Sequence, residues 1–130
     1  MEIDLRYDFT GKTILVVEDD TVSRIYFREL LAPTGALIDF VRNGNETLEY
    51  FQTNRVPFVV LMDIKLPDIN GIELSKILIG KHPGIKIVAQ TAFANPEIEY
   101  LCKEAGMVAY ITKPIRNDEL MIVLNNILKD

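Results

Sequence analysis

Four charged side chains that could act together are spread along this chain, each directly after a short apolar run. Glu18 and Asp19 follow TILVV, Asp63 follows FVVLM, and Lys113 follows VAYIT. Unit charges about 4 Å apart interact by roughly 4 kcal/mol at an effective dielectric constant near 20, so three crowded carboxylates would repel strongly. One ammonium offsets one of these charges, which leaves a need for a divalent cation. Oxygen ligands without His or Cys nearby favour Mg²⁺ over zinc.

A cation site of this kind is suited to phosphoryl chemistry. A Mg²⁺ ion that is held only partly by protein keeps coordination positions open for phosphate oxygens. Thr91 ends another apolar run, and its hydroxyl could donate to the same oxygens. Phosphoryl transfer depends mostly on positioning and electrostatic stabilisation, and Mg²⁺, Lys113 and Thr91 would all act on the equatorial oxygens. The pattern therefore predicts a phosphoryl-handling site that includes Asp63.

The elements that must position these residues follow from the hydrophobic pattern. Short, mostly β-branched runs predict strands that are buried on both faces of a parallel sheet. They lie at residues 13–17, 37–41, 58–62, 85–90 and 108–112. Amphipathic helices separate them, and five such alternations predict an α/β fold, a doubly wound parallel sheet with helices on both faces. The carboxyl ends of its strands would share one edge, where ligands bind in such folds.

Spacing and end signals mark the helices. Asp20 or Thr21 can cap the first helix, and Asn95 with Pro96 begins the fourth. Helical spacing predicts that the buried face of the first helix is formed by Val22, Ile25, Tyr26 and Leu30. The last helix has its main apolar stripe at Leu120, Val123, Leu124, Ile127 and Leu128.

Length and composition exclude several classes of protein. The 130 residues, 48% hydrophobic and 25% charged, fit one globular domain at residues 13–130, with residues 1–12 as a leader or linker. A net charge of −5 argues against direct nucleic-acid binding. A single cysteine, Cys102, indicates a reducing compartment. No apolar stretch approaches the roughly 20 residues of a membrane span, so we expect a cytoplasmic chain without membrane insertion.

Several separated motifs, in order, resemble one known family. They are the acidic pair after the first strand, MDIKLPDINGIEL at residues 62–74, TA at 91–92, and an aromatic residue followed by KP at 110–114. In these motifs the chain resembles the response-regulator receiver domains of two-component signalling, over about residues 12–129. The resemblance implies a flavodoxin-like (βα)5 fold with strand order 2-1-3-4-5.

The resemblance also implies a phosphoacceptor with a metal shell. Asp63 would attack a phosphoryl group carried by the phosphohistidine of a histidine kinase or phosphotransfer domain. Asp19 and Asp63 would bind Mg²⁺ directly, and Glu18 would act mainly through a bound water. The backbone carbonyl of Lys65 would complete the protein ligands.

Further roles carried over from the family concern the response to phosphorylation. Lys113 would contact the carboxylate and then the phosphoryl oxygens, and Thr91 would donate its hydroxyl to them. Tyr110 would be an aromatic switch that moves inward, and the Lys113–Pro114 peptide bond would be cis. The domain would then be a conformational switch and not an enzyme, with at most slow self-dephosphorylation.

Two features depart from the family pattern or add to it. Glu18 stands where an aspartate is common, so we expect altered metal affinity. Phe93, two residues past Thr91, and Lys65, two past Asp63, flank the entry path. We hypothesise that Phe93 shields the acyl phosphate from water.

Other classes of phosphate-binding protein fit less well. A haloacid dehalogenase-type phosphatase needs Asp-x-Asp-x-Thr/Val after the first strand, whereas EDDTV puts Glu18 at the nucleophile position. The chain has no Gly-rich phosphate loop with Lys–Ser/Thr. A flavodoxin-like cofactor binder would want a Ser/Thr/Gly-rich loop where this chain has three acids.

Partner surfaces and origin are less specified. Met121 and Ile122 lie off the main stripe of the last helix, so they are candidates for a partner or homodimer contact, with partial burial as the alternative. The leader MEIDLRYDFTGKT resembles a linker into the receiver of a hybrid sensor histidine kinase, which favours that origin over a stand-alone regulator.

Overall fold

Five short strands alternate with five helices in the computed structural model, which describes residues 7–53 and 55–129. The elements are β1 (Thr13–Val17), α1 (Thr21–Leu31), a 3-10 turn (Ala32–Thr34), β2 (Leu37–Val41), α2 (Gly44–Thr53), β3 (Val59–Asp63), α3 (Gly71–Lys81), β4 (Ile87–Thr91), α4 (Pro96–Glu104), β5 (Ala109–Thr112) and α5 (Asn117–Lys129). None of the helices within the described ranges has both the length and the apolar character needed to cross a membrane.

The strands form one parallel sheet in the order β2-β1-β3-β4-β5, so the predicted fold and strand order are confirmed. Three strands begin one or two residues later than predicted, and two of them extend further. Asp63 and Thr91 are the last residues of β3 and β4, paired with Gln90 and Thr112 of the neighbouring strands. The sheet ladder therefore fixes the backbone of both polar residues directly.

Side chains of alternate strand residues enter two separate cores. In β3, Val60 and Met62 pack on the side of α3, whereas Val59 and Leu61 pack with side chains of α1 and α5. All five residues of β3 are buried, because helices cover both faces of the sheet. This arrangement explains the continuous apolar run before Asp63.

Helix ends follow the predicted signals in most cases. The Asp20 side chain accepts the N–H of Ser23 at 2.9 Å, so it caps α1, while Thr21 is the first helical residue. Asn95 accepts the N–H of Ile98 at 2.8 Å at the start of α4. These caps satisfy amide groups that have no partner inside the helix.

The predicted buried face of α1 is wrong for three of its four residues, and only Leu30 of the four packs against the core. Val22 is 73% exposed and Ile25 56% exposed, whereas Phe27 and Leu31 are buried. Two apolar stripes run side by side on this helix, and the sheet covers only one of them. Beside it, the guanidinium groups of Arg24 and Arg28 lie 5.3 and 4.9 Å from the ring centre of Phe40 on edge strand β2. Val22, Ile25 and Tyr26 are consequently left at the surface.

For Met121, the structure supports the alternative of burial and excludes a surface contact. It is 3% exposed and packs in the same core as Leu120 and Leu124, because the buried face of α5 is wider than its main stripe. Ile122 is 54% exposed, so it stays available as a contact.

Part of the predicted leader packs against the domain. Phe9 is fully buried, its ring centre lies 6.4 Å from that of Phe58, and its N–H donates to the Thr34 carbonyl at 2.8 Å. Residues 1–6 of the leader lie outside the described residues. The core therefore includes a side chain that precedes the first strand.

Candidate functional site

Three charged side chains from distant parts of the chain meet at the carboxyl edge of the sheet. Glu18 directly follows β1, Asp63 ends β3, and Lys113 directly follows β5. The Lys113 ammonium donates to Glu18 Oε1 at 2.7 Å and to Asp63 Oδ2 at 3.4 Å. One cation thus bridges two carboxylates that lie 95 and 50 positions away in sequence.

Both carboxylates are almost withdrawn from water. Glu18 is 1% exposed and Asp63 7% exposed. Burial, followed by the negative charge of Glu18, raises the pKa of Asp63 to about 6, against the opposing effect of Lys113. The site therefore holds more negative charge than one ammonium offsets, and a bound cation would relieve the excess.

The loop after Asp63 approaches that residue very closely. The Lys65 N–H donates to Asp63 Oδ1 at 3.3 Å, and the Gly71 N–H donates to the Ile64 carbonyl at 2.7 Å. A Cβ on Gly71 would lie 2.1 Å from the Asp63 carbonyl oxygen, so only glycine fits there. The sequence marks Asn70–Gly71 as a chain break, but it does not reveal this contact.

Thr91 and Tyr110 lie on the two strands beyond Asp63. Thr91 is 2% exposed, and its Oγ1 accepts the N–H of Phe93 at 3.0 Å. Tyr110 is half-buried, and burial raises the pKa of its phenol. Its hydroxyl oxygen is enclosed and has no hydrogen-bond partner among the described residues.

The predicted metal ligands do not form a ready-made cluster. Within residues 7–53 and 55–129, no three His, Cys, Asp or Glu side chains are gathered around a possible metal position. Glu18 is already engaged, because Lys113 binds Oε1 and the Asp20 N–H donates to Oε2 at 3.1 Å. Asp19 is exposed beside it.

The remaining donors nevertheless suit Mg²⁺. Asp19, Asp63 and the Lys65 carbonyl offer only oxygen, the ligand type that Mg²⁺ prefers. Burial and the charge of Glu18 raise the pKa of Asp63, and a nearby cation would oppose both effects. The residues present therefore fit a magnesium ion in their chemistry.

Three further features border the site. The Lys65 ammonium lies 4.9 Å from the ring centre of Phe93, which is 59% exposed. The Lys113–Pro114 peptide bond is cis, as expected. Gln90, for which the sequence pattern predicts no role, is 2% exposed, and its Nε2 lies 3.4 Å from the Val17 carbonyl.

Comparison with known proteins gives consistent similarities. The profile of the response regulator receiver domain matches residues 14–125. The polar-differentiation response regulator DivK of Brucella anthropi is 34% identical over 123 residues, which cover 92% of this chain and 98% of the relative. The receiver domain of Francisella response regulator 1452 superposes with a TM-score of 0.84 at 27% identity, covering 92% and 98% of the two chains. The receiver domain of a Syntrophus aciditrophicus signal transduction histidine kinase gives 0.81 at 27%, covering 92% and 91%.

Neutralising Asp63 should stabilise the fold near neutral pH. Without divalent cations, we expect Asp63→Asn to raise the free energy of unfolding at pH 7.5 by up to about 3 kcal/mol, since each pKa unit is worth about 1.4 kcal/mol. The folded pKa lies above the ordinary value of 3.8, so the folded state binds the proton more tightly. The ionised Asp63 lowers the free energy of unfolding by its full amount above about pH 6, and this effect decreases as the pH falls toward 4.

Urea unfolding in EDTA at pH 7.5 and pH 4.5 measures this effect. The exposed Glu73→Gln, whose pair with Lys76 is a surface ion pair, is the matched control and should change stability by less than about 0.5 kcal/mol. A gain of equal size at both pH values would contradict the prediction.

Proposed function

The chain belongs to the response regulator receiver family, a class of phosphorylation-activated signalling domains, and from that membership we propose that Asp63 is its phosphoacceptor. The observation that carries the proposal is the Lys113 ammonium, which bridges Asp63 and Glu18 at a nearly buried site. Family membership does not favour the haloacid dehalogenase-type phosphatase. The domain acts as a switch, with a histidine kinase or phosphotransfer domain as its phosphoryl donor.

The transfer step makes one bond and breaks one. A carboxylate oxygen of Asp63 attacks the phosphorus of a phosphohistidine, the P–N bond breaks, and its electron pair returns to the imidazole nitrogen. The product is an acyl phosphate on Asp63. Lys113, already within 3.4 Å of Asp63 Oδ2, is placed to stabilise the added phosphoryl oxygens, and the Thr91 hydroxyl serves the same purpose.

Magnesium would be held by Asp19, Asp63 and the Lys65 carbonyl, with Glu18 acting through water. When bound, the ion would neutralise part of the negative charge on the phosphoryl oxygens. The 2.7 Å contact of Glu18 with Lys113 supports a second role for this residue, which is to hold the ammonium in place. The longer side chain of glutamate, compared with aspartate, is consistent with that role.

The donor would dock on the exposed stripe of α1. Val22 and Tyr26 border a cavity of about 350 Å³ that is also lined by Lys113 and Pro114, and the exposed Ile25 lies on the same stripe of the helix. The Tyr26 hydroxyl donates to the Ile115 carbonyl and joins α1 to the segment after β5. An apolar groove that adjoins Lys113 would place a donor histidine beside Asp63.

The response would involve β5 and the helices that flank it. Thr91 would move toward the phosphoryl group, and Tyr110, whose hydroxyl has no partner among the described residues, would follow it. Ile122 on α5 remains a candidate partner or homodimer contact. A cytoplasmic location and an origin in a hybrid kinase are retained as predictions.

Phosphorylation can be tested by intact mass after incubation with Mg²⁺ and a small acyl-phosphate donor. We expect one phosphoryl gain in the wild type and none in Asp63→Asn, because the amide is not a nucleophile for this transfer. Omission of Mg²⁺ should suppress the gain. A gain that persists in Asp63→Asn would reject Asp63 as the acceptor.

Removal of the Phe93 ring should shorten the life of the acyl phosphate. Because the ring lies over Lys65 at the site, we expect Phe93→Ala to accelerate hydrolysis about three- to tenfold, equivalent to about 1 kcal/mol of barrier. Decay after removal of the donor gives the rate. Tyr100→Ala, which removes another exposed aromatic ring, is the control. An unchanged or slower rate of hydrolysis in Phe93→Ala would reject the hypothesis that this ring shields the acyl phosphate from water.

A charged side chain introduced on α1 should weaken docking of a protein donor without affecting the phosphoryl-transfer step itself. We expect Ile25→Glu to slow transfer from a histidine-phosphotransfer domain at least about tenfold, since a charge in a buried apolar contact is costly. The rate with the small donor should be unchanged. Leu37→Glu, which places the same charge on an exposed residue of β2, is the control. Equal slowing with both donors would contradict docking at α1.

A further inference from the structure

The loop that follows Asp63, residues 64–70, is tied to the start of α2 by one carboxylate. Asp68 Oδ1 accepts the Gly44 N–H at 2.8 Å, and Oδ2 accepts the Asn45 N–H at 2.9 Å. These residues lie 24 and 23 positions before it in sequence. The hydrogen bond from Gly44 is the main cause that lowers the pKa of Asp68, so the carboxylate is ionised at the positive end of a helix.

Close packing accompanies these hydrogen bonds. Gly44 is buried, and a Cβ at this position would lie 2.3 Å from Cγ2 of Ile69. The backbone of the helix therefore touches the loop directly. Gly44 permits this approach, and Asp68 fixes it.

Helix α2 does not need Asp68 for its local cap. Asn43 Oδ1 accepts the Glu46 N–H at 2.8 Å, and Glu46 Oε1 accepts the N–H of Arg42, the residue before the cap, at 2.9 Å, which resembles a capping box with its return bond shifted by one residue. Asp68 takes the first-turn N–H groups that this arrangement leaves. Its contacts join two elements, whereas those of Asn43 stay within one.

The other end of the same loop reaches the phosphoacceptor. Lys65 pairs with Asn70 across the loop, and the Lys65 N–H donates to Asp63 Oδ1. The loop is thus held at Asp63 on one side and at α2 on the other. A displacement of Asp68 would be passed through a short, cross-linked segment to Lys65.

We propose that Asp68 is a positioning residue for the Asp63 site, which it serves by fixing the loop that carries Lys65. This inference rests on the proposed function, in which the Lys65 carbonyl is a metal ligand. Asp68 itself contacts neither the phosphoryl group nor the metal. It acts on both through the backbone of residues 64–70.

The test compares Asp68→Ala with Asn43→Ala in the full chain. Each removes a side chain that accepts hydrogen bonds from the first turn of α2, so each should lower Tm by a similar amount, about 3 °C. Only Asp68→Ala releases the loop. We expect it to speed amide hydrogen exchange in residues 64–70 and to raise the Mg²⁺ concentration for half-maximal phosphorylation about tenfold, the scale of outer-shell effects on metal sites. Asp68→Asn, which keeps one acceptor oxygen, should be intermediate.

The two readouts separate this inference from the proposed function. If the wild type gains no phosphoryl group, the proposed function fails, while hydrogen exchange still reports whether Asp68 holds the loop. If the wild type is phosphorylated and the two alanine variants agree in loop exchange and Mg²⁺ dependence, Asp68 is a helix cap only and the positioning role is overturned. Maximal rates at saturating Mg²⁺ should stay within about twofold of the wild type, because the loss is in metal binding.

Discussion

The interaction on which the site depends is the contact of one ammonium with two buried carboxylates. Lys113 lies within 2.7 Å of Glu18 and 3.4 Å of Asp63, and neither acidic residue is more than 7% exposed. Burial of like charges is costly, and one cation compensates only part of that cost. Because part of this cost is not compensated, the ionised form of Asp63 is disfavoured and its pKa is raised to about 6. The same imbalance makes the site suitable for a magnesium ion and for the phosphoryl chemistry of its family.

The parallel sheet brings these three charged residues to one edge. Strands β1 and β3 end side by side, and β5 returns Lys113 to the same edge two strands away. Asp63 is still paired with Gln90 in the ladder, so the sheet fixes the position of its backbone. The loop that follows is then fitted against it, with glycine at position 71 where no Cβ has room. At the end of β3, the sheet therefore positions Asp63, and the closely packed loop positions the groups around it.

The alternation of strand side chains also separates two faces. Asp63 continues the series of Val59 and Leu61, which point toward α1 and α5, the side of the exposed α1 groove. Thr91 continues the series of Ile87 and Ala89, which pack in the opposite core together with Tyr110. Donor docking and the proposed switch would accordingly use different faces of one sheet, joined at the carboxyl edge. Phosphorylation of Asp63 would connect the two faces, because Asp63 lies at the carboxyl edge where both faces end.

The amino-acid sequence by itself determined the local features: five apolar runs, the caps at Asp20 and Asn95, and polar residues at strand ends. These are readable because strand and helix periods are local, and the family motifs supplied the strand order. Only the tertiary structure decided which stripe of α1 is buried, that Met121 lies in the core, and that the leader contributes Phe9. It also decided that Glu18 binds Lys113, and that Asp68 reaches back to α2. The physical reason is that periodicity fixes which residues share a face, whereas burial and long-range hydrogen bonds depend on which neighbours the fold brings against that face.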